Sequence, residues 1–163
     1  MRFTAMLLLG LLSLAVSASE LPALPDCGRF EQERWLADLE MSIAARGTFR
    51  RENDGLIWHL REPIERQLQL HPENNELAID QRLIADFMHA LHSGDTHAVS
   101  DHFALDDSQN DGLLLTPHSD ELRSMLEHIR VSGQPLVEQI ELQFADGDRL
   151  HLQLSPSACA ETD

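Results

Sequence analysis

Residues Gly55 to Leu70 read GLIWHLREPIERQLQL, and the direction of the apolar side chains in this stretch decides the fold. Leu56, Trp58 and Leu60 alternate with Ile57 and His59, and beyond Pro63 Leu68 and Leu70 alternate with Gln67 and Gln69. A two-residue period puts one set of side chains on a single face of a strand. Such a face either packs on a core, as in any sheet protein, or lines a cavity that holds something apolar. Periodicity leaves both readings open.

The 163 residues suffice for one domain with a proper core. The first of them read as an export signal. Arg2 is a short positive region, Met6 to Val16 (MLLLGLLSLAV) an apolar one, and Val16-Ser17-Ala18 supplies the small residues of a cleavage site. Residues 1–18 are therefore expected to be a signal peptide, since the apolar run is about half of the ~20 residues a membrane span needs. The mature chain is expected to be exported to an oxidising compartment. In that oxidising setting the two cysteines, Cys27 and Cys159, are most simply a disulfide, and they lack the C-x-x-C spacing of a redox pair.

Acidic residues number 28 against 12 basic ones, every basic residue is Arg, and the formal net charge is −16. So negative a chain as a whole repels nucleic acid and anionic headgroups, which makes both poor expected partners.

Outward from the opening stretch, odd positions from Trp35 to Phe49 are largely apolar and even ones largely polar, which predicts one long strand. Asn53-Asp54-Gly55 supplies a hairpin turn into the Leu56–Leu60 strand, and Gln67 to Leu70 starts the next. A further short pairing is expected at Leu77 and Ile79. Asp80 then reads as the N-cap of a helix whose stripe is Leu83, Ile84, Phe87, Met88 and Leu91, ending at Gly94. A short helical piece is predicted at Thr96–His102, and another turn or two at Ser119–Leu126. Strands are predicted at Phe103–Leu105, Leu113–Leu115, Ile129–Val131, Val137–Phe144 and Leu150–Leu154, with a hairpin at Asp146-Gly147. The fold class is thus mainly β (α+β), an antiparallel sheet with one main helix.

Chemistry-bearing motifs are sparse. Of nine histidines, His89, His92, His97 and His102 are the densest group, but H-E-x-x-H spacing is absent and Gly94-Asp95 breaks the helix before the third. The run Asp106 to Gly112 starts like a calcium loop, yet its twelfth place, counted from Asp107, is His118 instead of a bidentate Glu. There is no G-x-S-x-G, no phosphate-binding glycine loop and no convincing Cys–His pair, so no catalytic residue, metal or cofactor is expected.

Several short elements together resemble the outer-membrane lipoprotein carrier family (LolA-like). Phe30-Glu31-Gln32 is similar to its F-x-Q element, and Gly47-Thr48-Phe49 to its G-x-F strand. Trp58-His59-Leu60-Arg61-Glu62-Pro63 is similar to the strand that carries Trp and then Pro. In the second half Ser93-Gly94-Asp95, Phe103, Leu115-Thr116-Pro117 and Asp146-Gly147-Asp148 follow in the family's order. The resemblance divides the chain into the signal peptide (1–18), an N-terminal segment (19–29), a LolA-like domain (30–155) and a tail (156–163).

It implies a strongly curved antiparallel sheet, an unclosed half-barrel covered by helix, that carries the acyl chains of a lipoprotein or other lipidic cargo across the periplasm as a non-catalytic monomer. An inner-membrane exporter and an outer-membrane acceptor are the implied partners. Met41, Phe49, Leu56, Trp58, Leu60, Leu68 and Leu70, with Phe87 from the helix, are the implied ligand-binding residues. Arg51 is the nearest counterpart of the basic residue that latches the family's lid. The amphipathic helix that precedes F-x-Q in the family is reduced here to Leu21–Arg29, with Pro22 and Pro25 inside it. An alternative on the same scaffold is a module that docks a lipid exporter or envelope sensor and carries no cargo.

Overall fold

The computed structural model describes residues 21–53, 55–71, 79–108 and 112–159. The signal-peptide reading and the pairing expected at Leu77 lie outside these residues. Nine strands form one antiparallel sheet: β1 (Cys27–Leu36), β2 (Met41–Glu52), β3 (Gly55–Glu62), β4 (Arg66–Leu70), β5 (Phe103–Asp106), β6 (Leu113–Pro117), β7 (Leu126–Ser132), β8 (Gln139–Phe144) and β9 (Arg149–Pro156). Three helices accompany them: α1 (Ile79–Ser93), α2 (Thr96–Ser100) and α3 (Asp120–Arg123).

The strand order is β4-β3-β2-β1-β9-β8-β7-β6-β5, so two meanders meet where β1 pairs with β9. Strands β4 and β5 are the two edges and do not pair, which leaves the sheet open and half-barrel-like. The chain leaves β4 at one edge and re-enters at β5 on the other, carrying α1 and α2 across.

One face of every strand feeds the core. Phe30 lies opposite Leu154, Leu152 opposite Ile140, Val131 opposite Leu113, and Ile129 opposite Leu115. All of these are buried. Helix α1 packs against β3 and β4 and buries Ala85, Met88 and Leu91. Gly94, at φ 65°, ends it in the left-handed conformation that favours glycine. Asp95 then caps α2 by accepting from the His97 and Ala98 amides at 3.0 and 3.1 Å.

Four expectations need correction. The single strand predicted from Trp35 to Phe49 is two strands, β1 and β2, joined by a 3₁₀ turn at Ala37–Leu39. The alternation happens to run through the turn. Glu40 takes its left-handed position (φ 49°) with no Gly or Asn to announce it. What holds the turn is distant in sequence: the Asp148 carboxylate accepts from the Ala37 amide at 2.9 Å and from Arg34 at 3.3 Å. Second, Ile79 opens α1 instead of pairing as a strand, so Asp80 lies within the helix rather than at its cap.

Third, β7 begins three residues earlier than predicted. A register shift between Leu126 and His128 lets Leu126 and Ile129 both reach the core at a spacing of three, which hides the strand from a period-two reading. Fourth, β8 begins at Gln139. Val137 is instead held by its amide donating to the Ala23 carbonyl at 2.9 Å, beside the isolated bridge from Ala23 to Leu136.

Cys27 and Cys159 are disulfide-bonded across 132 residues, with Cα atoms 5.2 Å apart. The bridge sits at the end of the β1–β9 seam, where Gly28 already faces Pro156. Its contribution therefore lies mainly in the unfolded chain, whose freedom it restricts by about 4–5 kcal/mol. Replacing both cysteines by Ser is expected to lower the unfolding free energy by about 3–5 kcal/mol in chemical denaturation, with the native near-UV circular dichroism retained. A loss under about 1 kcal/mol would contradict this placement of the bridge.

Candidate binding hollow

The β2–β3–β4 register brings Phe49, Trp58 and Leu68 into one row on the inward face, and Leu56 with Leu70 into the next. Trp58 is the centre of an aromatic group. Phe30 stacks on it with ring centroids 3.9 Å apart, and Phe49 with centroids 5.6 Å apart. Stacked pairs of this kind add about 0.5–1.5 kcal/mol beyond their burial.

Two glycines make the stack possible. Gly47 lies opposite Phe30, and a Cβ there would overlap the His59 carbonyl oxygen and stand 2.9 Å from the Phe30 ring. A Cβ at Gly28 would stand 2.6 Å from the Phe49 ring. The missing side chains are the space into which the two phenylalanines lean.

Beyond Trp58 a hollow of about 180 Å³ opens between β3, β4, β9 and α1. Trp58, Leu60, Leu68 and Leu70 line one side of it, and Leu150, Leu152, Phe144 and Ile84 the other. Its wall is not wholly apolar, because Gln32, Arg34 and Arg66 also face it. Arg34 is tied to Asp148 at 3.3 Å and lies 5.7 Å over the Phe144 ring. Arg66 stands across from Leu60 at the start of β4.

Four of the eight ligand-binding residues expected from sequence, namely Trp58, Leu60, Leu68 and Leu70, meet in this hollow. Phe49 and Leu56 are buried beside them at 2% and 4% exposure, Phe49 as a stacking partner of Trp58. Met41 is 46% exposed, on the stretch of β2 that runs past the end of β3. Phe87 is buried on α1 and lines a separate cleft of about 440 Å³, with Val99 and Phe103. Arg51 pairs with Asp26 at 3.0 Å and so ties β2 to the residue before β1.

The sequence reading missed Ile84, Phe144, Leu150 and Leu152 as wall residues. Each was legible as apolar and inward, but only the β1–β9 pairing carries β8 and β9 to the hollow. It missed Arg34 and Arg66 for another reason: a charged residue on an inward face breaks the pattern used to find that face.

In the separate cleft, partial burial pushes the Asp86 carboxyl above its ordinary range, against the opposing pull of Arg82, His89 and His102. Among the described residues no three His, Cys, Asp or Glu side chains gather as a metal site. At the start of the calcium-like run, the Asp106 carboxylate accepts from the Ser108 amide at 2.9 Å, and hydrogen bonds from Ser108 hold its carboxyl below the usual range. Residues 109–111 of that run lie outside the described residues.

The ring stack makes a direct prediction. In a Trp35→Phe background, where Trp58 alone fluoresces, Gly47→Ala is expected to cost about 1–3 kcal/mol and to shift the emission as Phe30 is displaced. An unchanged midpoint together with unchanged emission would contradict the role given to Gly47. Compared with models of known protein families and with curated proteins, the chain matches none.

Proposed function

We propose that the protein is a periplasmic, non-catalytic carrier of the LolA-like kind, which takes an acyl chain of a lipoprotein or other lipidic cargo into the hollow between α1 and the sheet. The observation that carries the reading is the hollow itself, walled by Trp58, Leu60, Leu68 and Leu70 on one side and Leu150 and Leu152 on the other. Acyl chains need apolar area and no directional contacts, and each buried methylene contributes about 0.8 kcal/mol. Helix α1 serves as the cover. It rests on β3 and β4.

An apolar lip leads to the hollow. On β2, Ile43 lies opposite Arg34 and Met41 opposite Leu36, so both continue the inward face beyond the end of β3. Leu39, Met41, Ile43 and Ile64 are the exposed large apolar side chains among the described residues, and all lie at this end of the sheet. A greasy ramp beside an apolar hollow suits cargo that must enter without meeting water. The disulfide is compatible with an oxidising compartment such as the periplasm. Delivery from an inner-membrane exporter to an outer-membrane acceptor is part of the same proposal.

One observation favours the cargo-free docking module instead. The rings of Phe30, Phe49 and Trp58 are almost fully buried and already fill part of the inward face. Titration with a fluorescent fatty-acyl probe separates the two. The carrier reading expects saturable uptake, reduced about tenfold or more by Leu60→Arg, whose charge enters the hollow, with the unfolding midpoint nearly kept because Leu60 is only partly buried. No uptake by the unmodified protein would favour the docking module. Loss of folding in Leu60→Arg, with Leu68→Arg behaving alike, would make this face ordinary core.

A further inference from the structure

The opposite, outward face of the same strands carries several residues of the rarer charge, alongside Glu31, Glu33 and Glu52. Acidic residues outnumber arginines more than two to one in the chain, yet seven of the twelve arginines fall between Arg29 and Arg66. The sheet register gathers three of them. Arg29 lies opposite Thr48, Thr48 opposite His59, and His59 opposite Gln67, which makes one outward row. Arg50 stands two residues from Thr48 on β2, and diagonal neighbours at this spacing are within reach of long side chains. Arg61 falls in the register shift at which Arg46 faces Glu62 while Gly47 faces Leu60, and this places it beside the same row. Together these side chains line an outward cleft of about 360 Å³ closed on one side by Ser157 and Ala158.

Three features make this more than a charged surface. No Asp or Glu lines the cleft, although acids dominate the composition and Glu65 reaches His59 from outside it at 3.1 Å. Among the other arginines, Arg46 holds Glu62 at 2.6 Å, Arg51 holds Asp26 at 3.0 Å and Arg123 holds Asp120 at 3.0 Å. In the cleft, Arg29 and Arg61 have no carboxylate partner among the described residues, and Arg50 reaches only Glu52, at 3.8 Å. Finally, Thr48, Gln67 and Ser157 add neutral donors between the cations. Guanidinium forks match the oxygen pairs of phosphate in geometry as well as in charge.

We propose that the outward cleft centred on Arg29, Arg50 and Arg61 binds a phosphate group, either free in solution or as the monoester of a headgroup. The site lies on the opposite side of the sheet from the hollow, and it stands or falls independently of the carrier reading.

The test uses the full exported chain with its disulfide intact, titrated calorimetrically with inorganic phosphate at fixed ionic strength in a chloride background. A second arm measures its sedimentation with phosphatidylcholine vesicles prepared with and without phosphatidic acid. Arg29→Gln/Arg61→Gln is expected to weaken binding by about tenfold or more, as the loss of charged hydrogen bonds implies. The same double variant should fold normally, since neither side chain has an ion-pair partner to strand. Arg123→Gln removes the same kind of charge far from the cleft and is expected to leave binding unchanged. Saturable phosphate binding lost in the double variant supports a soluble ligand, and binding only to phosphatidic acid vesicles, lost in the same variant, supports the headgroup. Binding in neither arm, or binding that the double variant keeps, overturns the proposal.

Discussion

The pairing of β1 with β9 is the constraint on which the rest of the structure depends. Without it the chain is two separate meanders, β1–β4 and β5–β9, each with an unpaired edge where the seam now lies. The pairing runs from Gly28 opposite Pro156 to Trp35 opposite Arg149, and both ends of it are reinforced. At one end the Cys27–Cys159 bridge holds the residues that flank it. At the other, Asp148 in the β8–β9 turn binds Arg34 and the Ala37 amide, and so fixes the turn that begins β2. The contacts join residues more than a hundred positions apart, and loop closure on that scale is the slow kind of folding event.

The hollow follows from the seam. Once β1 and β9 are neighbours, the inward faces of Trp58, Leu60 and Leu68 in one meander and Leu150 and Leu152 in the other become walls of one space. The connection from edge to edge must then cross that face, and it brings α1 with it. Gly47 and Gly28 leave room for the rings of Phe30 and Phe49, which stack on Trp58. Outward side chains of the same strands are mostly polar, and some pair with one another, as Arg46 does with Glu62. On β1–β3 they include Arg29, Arg50 and Arg61, which line the outward cleft.

Much of this was legible along the chain. The alternation of Leu56, Trp58 and Leu60 and of Leu68 and Leu70 gave β3, β4 and one wall of the hollow, and the stripe from Leu83 to Leu91 gave α1. The cysteine pair was readable from the expected export signal and an even count. Strand β1 was not, because its inward set is Phe30, Gln32, Arg34 and Leu36, half of it polar, and because the turn after it lacks Gly, Pro and Asn. Its partner β9 was visible as a strand, but which strand it joins is a long-range fact that no local period encodes. The outward cleft was invisible for the same reason, since Arg29, Arg50 and Arg61 are neighbours only through the register.

The central claim is that the hollow holds an acyl chain. It is tested most directly by isolating the protein without detergent and examining it by native mass spectrometry. The account predicts a fraction of the protein carrying an added mass that dissociates as an acylated species and thereby names the cargo. Protein that is uniformly free of added mass, and stays so after incubation with acylated lipid, would contradict it.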